Sequence, residues 1–213
     1  MGKEAEQKQE IVNQGVHTYS QEDSYVWPQE SVLQEQLEWF QDQKLALMVH
    51  WGVYNQLGMV ASWALSDEGA EWSRKTVDWT DDGEVFKRQY RALNRAFDPV
   101  AFQPEEWAKM AKKCGFRYLI LTTKHHDGFC LWDTAYTEYK TTAEECPFHT
   151  HKYADIVRAM FDAFRKEGLG IGAYFSKADW HCPDYWEKEK VFTGKTTRNP
   201  TYDPKENPEA WER

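Results

Sequence analysis

The chain has 213 residues, enough to bury one sizeable core. Lys and Arg number 26 against 35 Asp and Glu, a net charge of −9, which leaves no basic surface to meet nucleic-acid phosphates. No apolar run is long enough to span a membrane.

Residues 1 to about 30 are polar and rich in Gln and Glu, and read as a loosely ordered extension. Met1-Gly2-Lys3-Glu4 has no apolar signal core, which fits a cytoplasmic protein or a chain whose signal peptide has been removed. Ser31 is placed to cap a helix through Phe40, with Val32, Leu33, Gln36, Leu37 and Phe40 at helical spacing. Leu45 to Val49 is then an apolar stretch of buried-strand type that ends in His50-Trp51-Gly52.

Asn55 to Asp82 is a long connection carrying Trp63, Trp72 and Trp79, and connections so long and aromatic are usually functional. Glu84 to Arg95 reads as helix. The next helix opens on Pro104, with Glu105 and Glu106 favourably placed at its N-terminus and Lys112 and Lys113 in its last turn. Its expected inner face is Trp107, Met110, Ala111 and Cys114, and Gly115 is the expected glycine past its end.

The central stretch follows. Tyr118 to Thr123 is a strand, and it opens directly into Lys124-His125-His126-Asp127-Gly128-Phe129. A cation, two imidazoles and a carboxylate at the end of an apolar strand describe a buried parallel strand opening into a site. In an extended strand the two imidazoles would alternate faces, one toward the cleft and one along the loop. The bland alternative makes one a hydrogen-bonded core histidine and the other a loop residue.

The pattern repeats once more. Asp155 is a good N-cap for a helix carrying Ile156, Met160, Phe161 and Phe164, and Gly168 ends it. Ile171 to Phe175 is a third buried strand, opening into Ser176-Lys177-Ala178-Asp179-Trp180-His181. After Trp186 the sequence is polar and irregular, with Pro200, Pro204 and Pro208 and no further apolar strand.

Three strands alternating with amphipathic helices give an α/β class with a parallel sheet, all three polar ends on one edge. A (β/α)8-like, TIM-type barrel is preferred to a doubly wound sheet, because no Gly-rich phosphate loop follows the first strand. The 15% of aromatic residues, with 11 Trp, suits a carbohydrate ligand whose C–H faces stack on indole; the same rings also serve as core. Cys114, Cys130, Cys146 and Cys182 form no C-x-x-C pair, so no zinc site is expected. A disulfide among the last three is left open, Cys114 reading as a core thiol.

His50-Trp51-Gly52, Phe97-Asp98-Pro99, Trp107-Ala108, Ala111-Lys112 and Lys124-His125-His126-Asp127-Gly128-Phe129 together resemble the α-L-fucosidases of glycoside hydrolase family 29. Tyr174-Phe175-Ser176 with Trp180 is similar to the next block of that family, and the resemblance covers roughly residues 37 to 186. It implies a catalytic barrel that removes terminal α-L-fucose with retention of configuration. His50, His125 and His126 match residues that hold fucose hydroxyls, Tyr174 a tyrosine lining the pocket, and Trp63 a tryptophan of its wall. A fucosylated oligosaccharide or glycoconjugate is the implied partner, with no cofactor or metal and a secreted or periplasmic location.

Retaining glycosidases use two carboxylates. The resemblance assigns neither to these residues and places both beyond Arg213. A full barrel takes about 250 residues, so residues 31–213 read as the N-terminal part of one, ending before the nucleophile strand. The chain departs from the family at Ser62, where Glu commonly precedes the pocket tryptophan; the sugar contact is then lost, or supplied by Glu68 or Glu71. Two other functions fit the same histidines: a fucose-binding protein without catalytic carboxylates, and a metal-dependent barrel hydrolase with His50, His125 and His126 as ligands.

Overall fold

In the computed structural model, residues 28–66, 71–182, 184, 205 and 207–212 are described. The chain divides into two units, Met1–Lys44 and Leu45–Arg213. The first contains helix α1, Ser31–Gln43, one turn longer than the predicted helix. Ser31 is already helical rather than the cap. Glu30 occupies the cap position with no side-chain hydrogen bond, and Lys44 ends the helix at φ 59°.

The second unit is built on a three-stranded sheet of β1 (Ala46–Val49), β2 (Tyr118–Lys124) and β3 (Gly170–Phe175), in the order β1-β2-β3 and parallel throughout. Ala46 pairs with Tyr118 and Tyr118 with Gly170, so the three strands start in register. β2, the longest, runs beyond β1 by three residues, with an irregularity between Thr122 and Lys124 where it faces the end of β3. Only β2 is buried as the sequence leads one to expect. In the flanking strands Met48 and Phe175 are exposed, because a strand with one neighbour is covered along one side only.

Helix α2 (Gly83–Arg91) is capped by Asp82, whose carboxylate accepts from the backbone N–H groups of Glu84 and Val85. The predicted helix through Arg95 tightens at Ala92 into a 3-10 turn, Ala92–Ala96. Helix α3 (Pro104–Lys113) has the predicted N-terminal Pro and acidic pair, and Gly115 takes φ +86° just past its end. Of its expected inner face, Ala111 is buried and Trp107 packs against the core, but Met110 and Cys114 are exposed and Ala108 is buried instead. The two alanines allow the close approach of α4, Ile156–Lys166, which is capped by Asp155 through the Arg158 N–H at 2.9 Å.

Ile156, Met160, Ala163 and Phe164 of α4 join Leu119 and Leu121 of β2 in the core. Around them lies an aromatic layer in which Trp51 packs on Phe102 and Trp107, and Phe97 packs on Phe129 and Phe148. The long connection after β1 is wound into short 3-10 turns, Val53–Leu57, Ala61–Leu65 and Glu71–Thr76. All four cysteines are free thiols. The segment read as irregular after Trp186 lies mostly outside the described residues, apart from a short helix α5, Pro208–Glu212. The same holds for most of the extension at residues 1–30 and for Glu68. Among the described residues no helix is long and apolar enough to cross a membrane.

Candidate functional site

Because the strands are parallel, the chain leaves all three at one edge, and the residues that follow each strand meet there. β2 ends at Lys124, and a turn closed by the Gly128 N–H on the His125 carbonyl (3.1 Å) begins at once. The extended-strand alternation therefore does not apply to the two histidines. Their rings lie against each other, edge to face, with centroids 4.7 Å apart.

All five residues picked out from the sequence come together at this edge. The His50 ring is 5.8 Å from His125 and 5.5 Å from Tyr174, and Tyr174 stacks parallel to His125 at 6.3 Å. Trp63 arrives from the Ala61–Leu65 turn and sits 5.9 Å from His125 and 5.3 Å from His126.

Each imidazole is held from behind. Thr122 Oγ1 lies 3.2 Å from His50 Nδ1. His126 Nδ1 donates to the Ala178 carbonyl at 2.9 Å. Ser62 approaches His125 Nδ1 with its hydroxyl at 2.5 Å and its backbone N–H at 3.4 Å. Burial, then the neighbouring His126, His50 and Lys124, push the His125 pKa down to about 3, so its ring is neutral at physiological pH.

Three residues of the site were not singled out as site residues beforehand. Ser62 appeared only as a departure from a family pattern. Tyr54, fully buried, packs its ring edge-on to His125 at 5.9 Å. Trp180 stacks on His126 at 4.6 Å and touches Trp63 at 5.9 Å, and its backbone N–H donates to the His126 carbonyl at 2.7 Å. Trp180 was open between core and site in the sequence; its burial is nearly complete, yet its ring is part of the histidine cluster.

The two nearby carboxylates are engaged in structural contacts. Asp127 is buried, accepting from the Tyr90 hydroxyl at 2.8 Å and the Phe129 N–H at 3.1 Å. Burial raises its pKa to about 6 against the opposing pull of those two donors. Asp179 pairs with the buried Lys124 ammonium at 3.1 Å and accepts from the His181 and Cys182 N–H groups, each at 2.9 Å. Gly128 lets these parts close up: a Cβ there would lie 2.6 Å from His181 Cβ and 2.8 Å from Asp179 Oδ1. Among the described residues no group of three or more His, Cys, Asp or Glu side chains is arranged to hold a metal ion.

A partly buried tryptophan beside three imidazoles, with buried aromatics beneath, is an arrangement that stacks on a C–H face and hydrogen-bonds hydroxyl groups. Comparison with known proteins points the same way. The chain is 31% identical to the tissue alpha-L-fucosidase of Rattus norvegicus over 147 residues, 69% of this chain and 31% of that protein. It is 30% identical to the plasma alpha-L-fucosidase of Homo sapiens over 152 residues, 71% of this chain and 32% of that one. It thus spans about a third of the length of these relatives. Among solved structures, it resembles a family 29 alpha-L-fucosidase from Bacteroides thetaiotaomicron with a TM-score of 0.60 at 30% identity, covering 89% of this chain and 36% of that one. Alpha-L-fucosidase isoenzyme 1 from Paenibacillus thiaminolyticus gives 0.57 at 33%, covering 84% and 35%. The Alpha-L-fucosidase family model matches residues 12–212, and the chain belongs to that family.

Proposed function

We propose that this chain forms the fucose-binding edge of a retaining α-L-fucosidase, acting on terminal α-L-fucose of glycans or glycoconjugates. The observation that carries the reading is the convergence of His50, Trp63, His125, His126 and Tyr174 at one sheet edge. In this reading the three imidazoles hold fucose hydroxyls, Tyr174 lines the pocket, and Trp63 is the wall against which the C5-methyl side of the sugar packs. Residues 31–213 are the N-terminal part of a (β/α)8-like barrel preceded by a polar extension, and the protein works outside the cytoplasm, as the family resemblance implies. A related solved structure is a single-residue mutant of the alpha-L-fucosidase AlfC in complex with 4-nitrophenyl-α-L-fucopyranoside, at 33% identity and a TM-score of 0.54.

A retaining mechanism needs a nucleophile and an acid/base about 5–5.5 Å apart. Asp127 is sealed against Tyr90, and Asp179 neutralises Lys124. Neither is assigned the chemistry, which falls to carboxylates outside the described residues.

The test is binding of L-fucose and of D-arabinose, the same ring without the C5 methyl, followed by tryptophan fluorescence. L-Fucose is expected to bind more tightly by roughly tenfold, the worth of one methyl group in an apolar wall. Trp63→Ala is expected to remove that preference. Unchanged preference with a lowered melting temperature would make Trp63 a core residue and overturn the assignment.

A further inference from the structure

The hydroxyl and the N–H of Ser62 reach the same atom, His125 Nδ1, across 63 residues of sequence. A backbone N–H can only donate, so Nδ1 offers it a lone pair, and the ring proton of the neutral imidazole is on Nε2. The adjacent His126 uses its Nδ1 in the opposite sense. Its Nδ1 faces the Ala178 carbonyl, which can only accept, so that nitrogen carries a proton. Two neighbouring histidines in edge-to-face contact thus use Nδ1 in opposite ways, one accepting and one donating, with partners from two separate loops.

The backbone at this point is bent to make the contact. Ala61, directly before Ser62, sits at φ +50°, a left-handed conformation that costs a residue with a side chain about 1 kcal/mol or more. It opens the Ala61–Leu65 turn, in which Ser62 is fully buried. Non-glycine residues held at positive φ cluster where the surrounding structure overrides the local preference, often at functional sites. Here the bend brings both donors of Ser62 to the imidazole.

We propose that Ser62 is a positioning residue that fixes His125 as the Nε2–H tautomer, so that His125 serves as a hydrogen-bond donor to a sugar hydroxyl oxygen. The proposal rests on the fucose-site reading above and adds the direction of one hydrogen bond. A hydroxyl with a pyranose ring behind it is the ligand chemistry such a donor takes. His125 is neutral, so it contributes a dipole rather than a charge, and the contact persists across the neutral pH range.

The tautomer is read directly from long-range 1H–15N correlations of the imidazole nitrogens in the 15N-labelled chain, with His125→Gln assigning the signals. At pH 7 His125 is expected to show a protonated Nε2 and an unprotonated Nδ1. Ser62→Ala keeps the backbone donor and removes the hydroxyl. The retained N–H, 3.4 Å away, marks the acceptor side of the ring but is too long to hold it alone, so the variant is expected to give a mixture of tautomers and to weaken L-fucose binding roughly 5- to 30-fold, the loss of one buried hydrogen bond. Ser62→Thr is expected to restore both. A protonated Nδ1 in the unsubstituted chain overturns the proposal, as does a Ser62→Ala variant with the original tautomer and affinity. If L-fucose does not bind the unsubstituted chain at all, the functional reading fails, while the tautomer pattern still decides the role of Ser62.

Discussion

Lys124 Nζ lies 3.1 Å from Asp179 Oδ2, joining the last residue of β2 to the loop that follows β3. The lysine side chain is 4% exposed and also donates to the Ser176 carbonyl at 2.9 Å, while its ammonium sits 4.6 Å from the centre of the Phe175 ring. The other oxygen of Asp179 receives the N–H groups of His181 and Cys182. The pair therefore shapes the turn that delivers Trp180 to His126.

Asp179→Asn leaves the Lys124 ammonium buried and without its counter-charge. Removing one partner of a buried pair costs about 3–5 kcal/mol; with Asp179 partly open to water, about 2–3 kcal/mol is expected here. In a domain of this size that lowers the melting temperature by roughly 5–10 °C. Thermal unfolding followed by circular dichroism checks it. A change under 2 °C would mean that the lysine is adequately held by its remaining partners, the Ser176 carbonyl and the Phe175 ring.

Asp127 ties stability to pH. Burial raises its carboxyl from an ordinary 3.8 to about 6 in the folded protein, so folded molecules hold this proton more tightly than unfolded ones. The group's contribution to stability is fully present below about pH 4 and is lost as pH rises through 6, a change of roughly 3 kcal/mol. Asp127→Asn, which cannot ionise, is expected to lack this component. Urea unfolding of both proteins at pH 4, 5, 6 and 7 gives the comparison: the stability of the aspartate form relative to the asparagine form falls between pH 4 and 6 and is level beyond. A difference independent of pH would show that the carboxyl ionises as it does in water.

Gly128 meets two demands at once. Its φ is +80°, and a Cβ would enter the space of His181 and Asp179. Gly128→Ala carries the left-handed penalty of about 1–2 kcal/mol and displaces the carboxylate that pairs with Lys124. A total loss of about 3 kcal/mol is expected, measured by urea unfolding, together with weaker L-fucose binding as Trp180 shifts from His126. Full stability in the alanine variant would mean that the loop after β3 moves aside at little cost.

The elements whose signals lie close together in the chain were legible in the sequence. The three strands, the cap at Asp155, the Pro104 start of α3 and the glycine past its end all follow from neighbouring residues. The polar residues after each strand could be assigned to one site because parallel strands put like ends on one edge. That placed His50, His125 and His126 together, while Trp63 and Tyr174 were added by the family resemblance. Which way a helix turns is less local. Met110 and Cys114 fit the apolar pattern of α3 yet lie outside, and the small Ala108 joins the expected Ala111 on the inner face, because the approach of α4 selects the smaller side chains.

Tertiary structure alone decided the partners of the polar groups. Tyr90 and Asp127 are 37 residues apart, Lys124 and Asp179 55, and Ser62 and His125 63. No local pattern encodes such pairs, since a hydrogen bond is made by whichever donor the fold brings within about 3 Å. The two histidines show the division. Their presence at the end of a strand was written in the sequence. Their ring contact required the strand to stop at Lys124, and the opposite roles of their Nδ1 atoms were settled by Ser62 and Ala178, which arrive from distant loops.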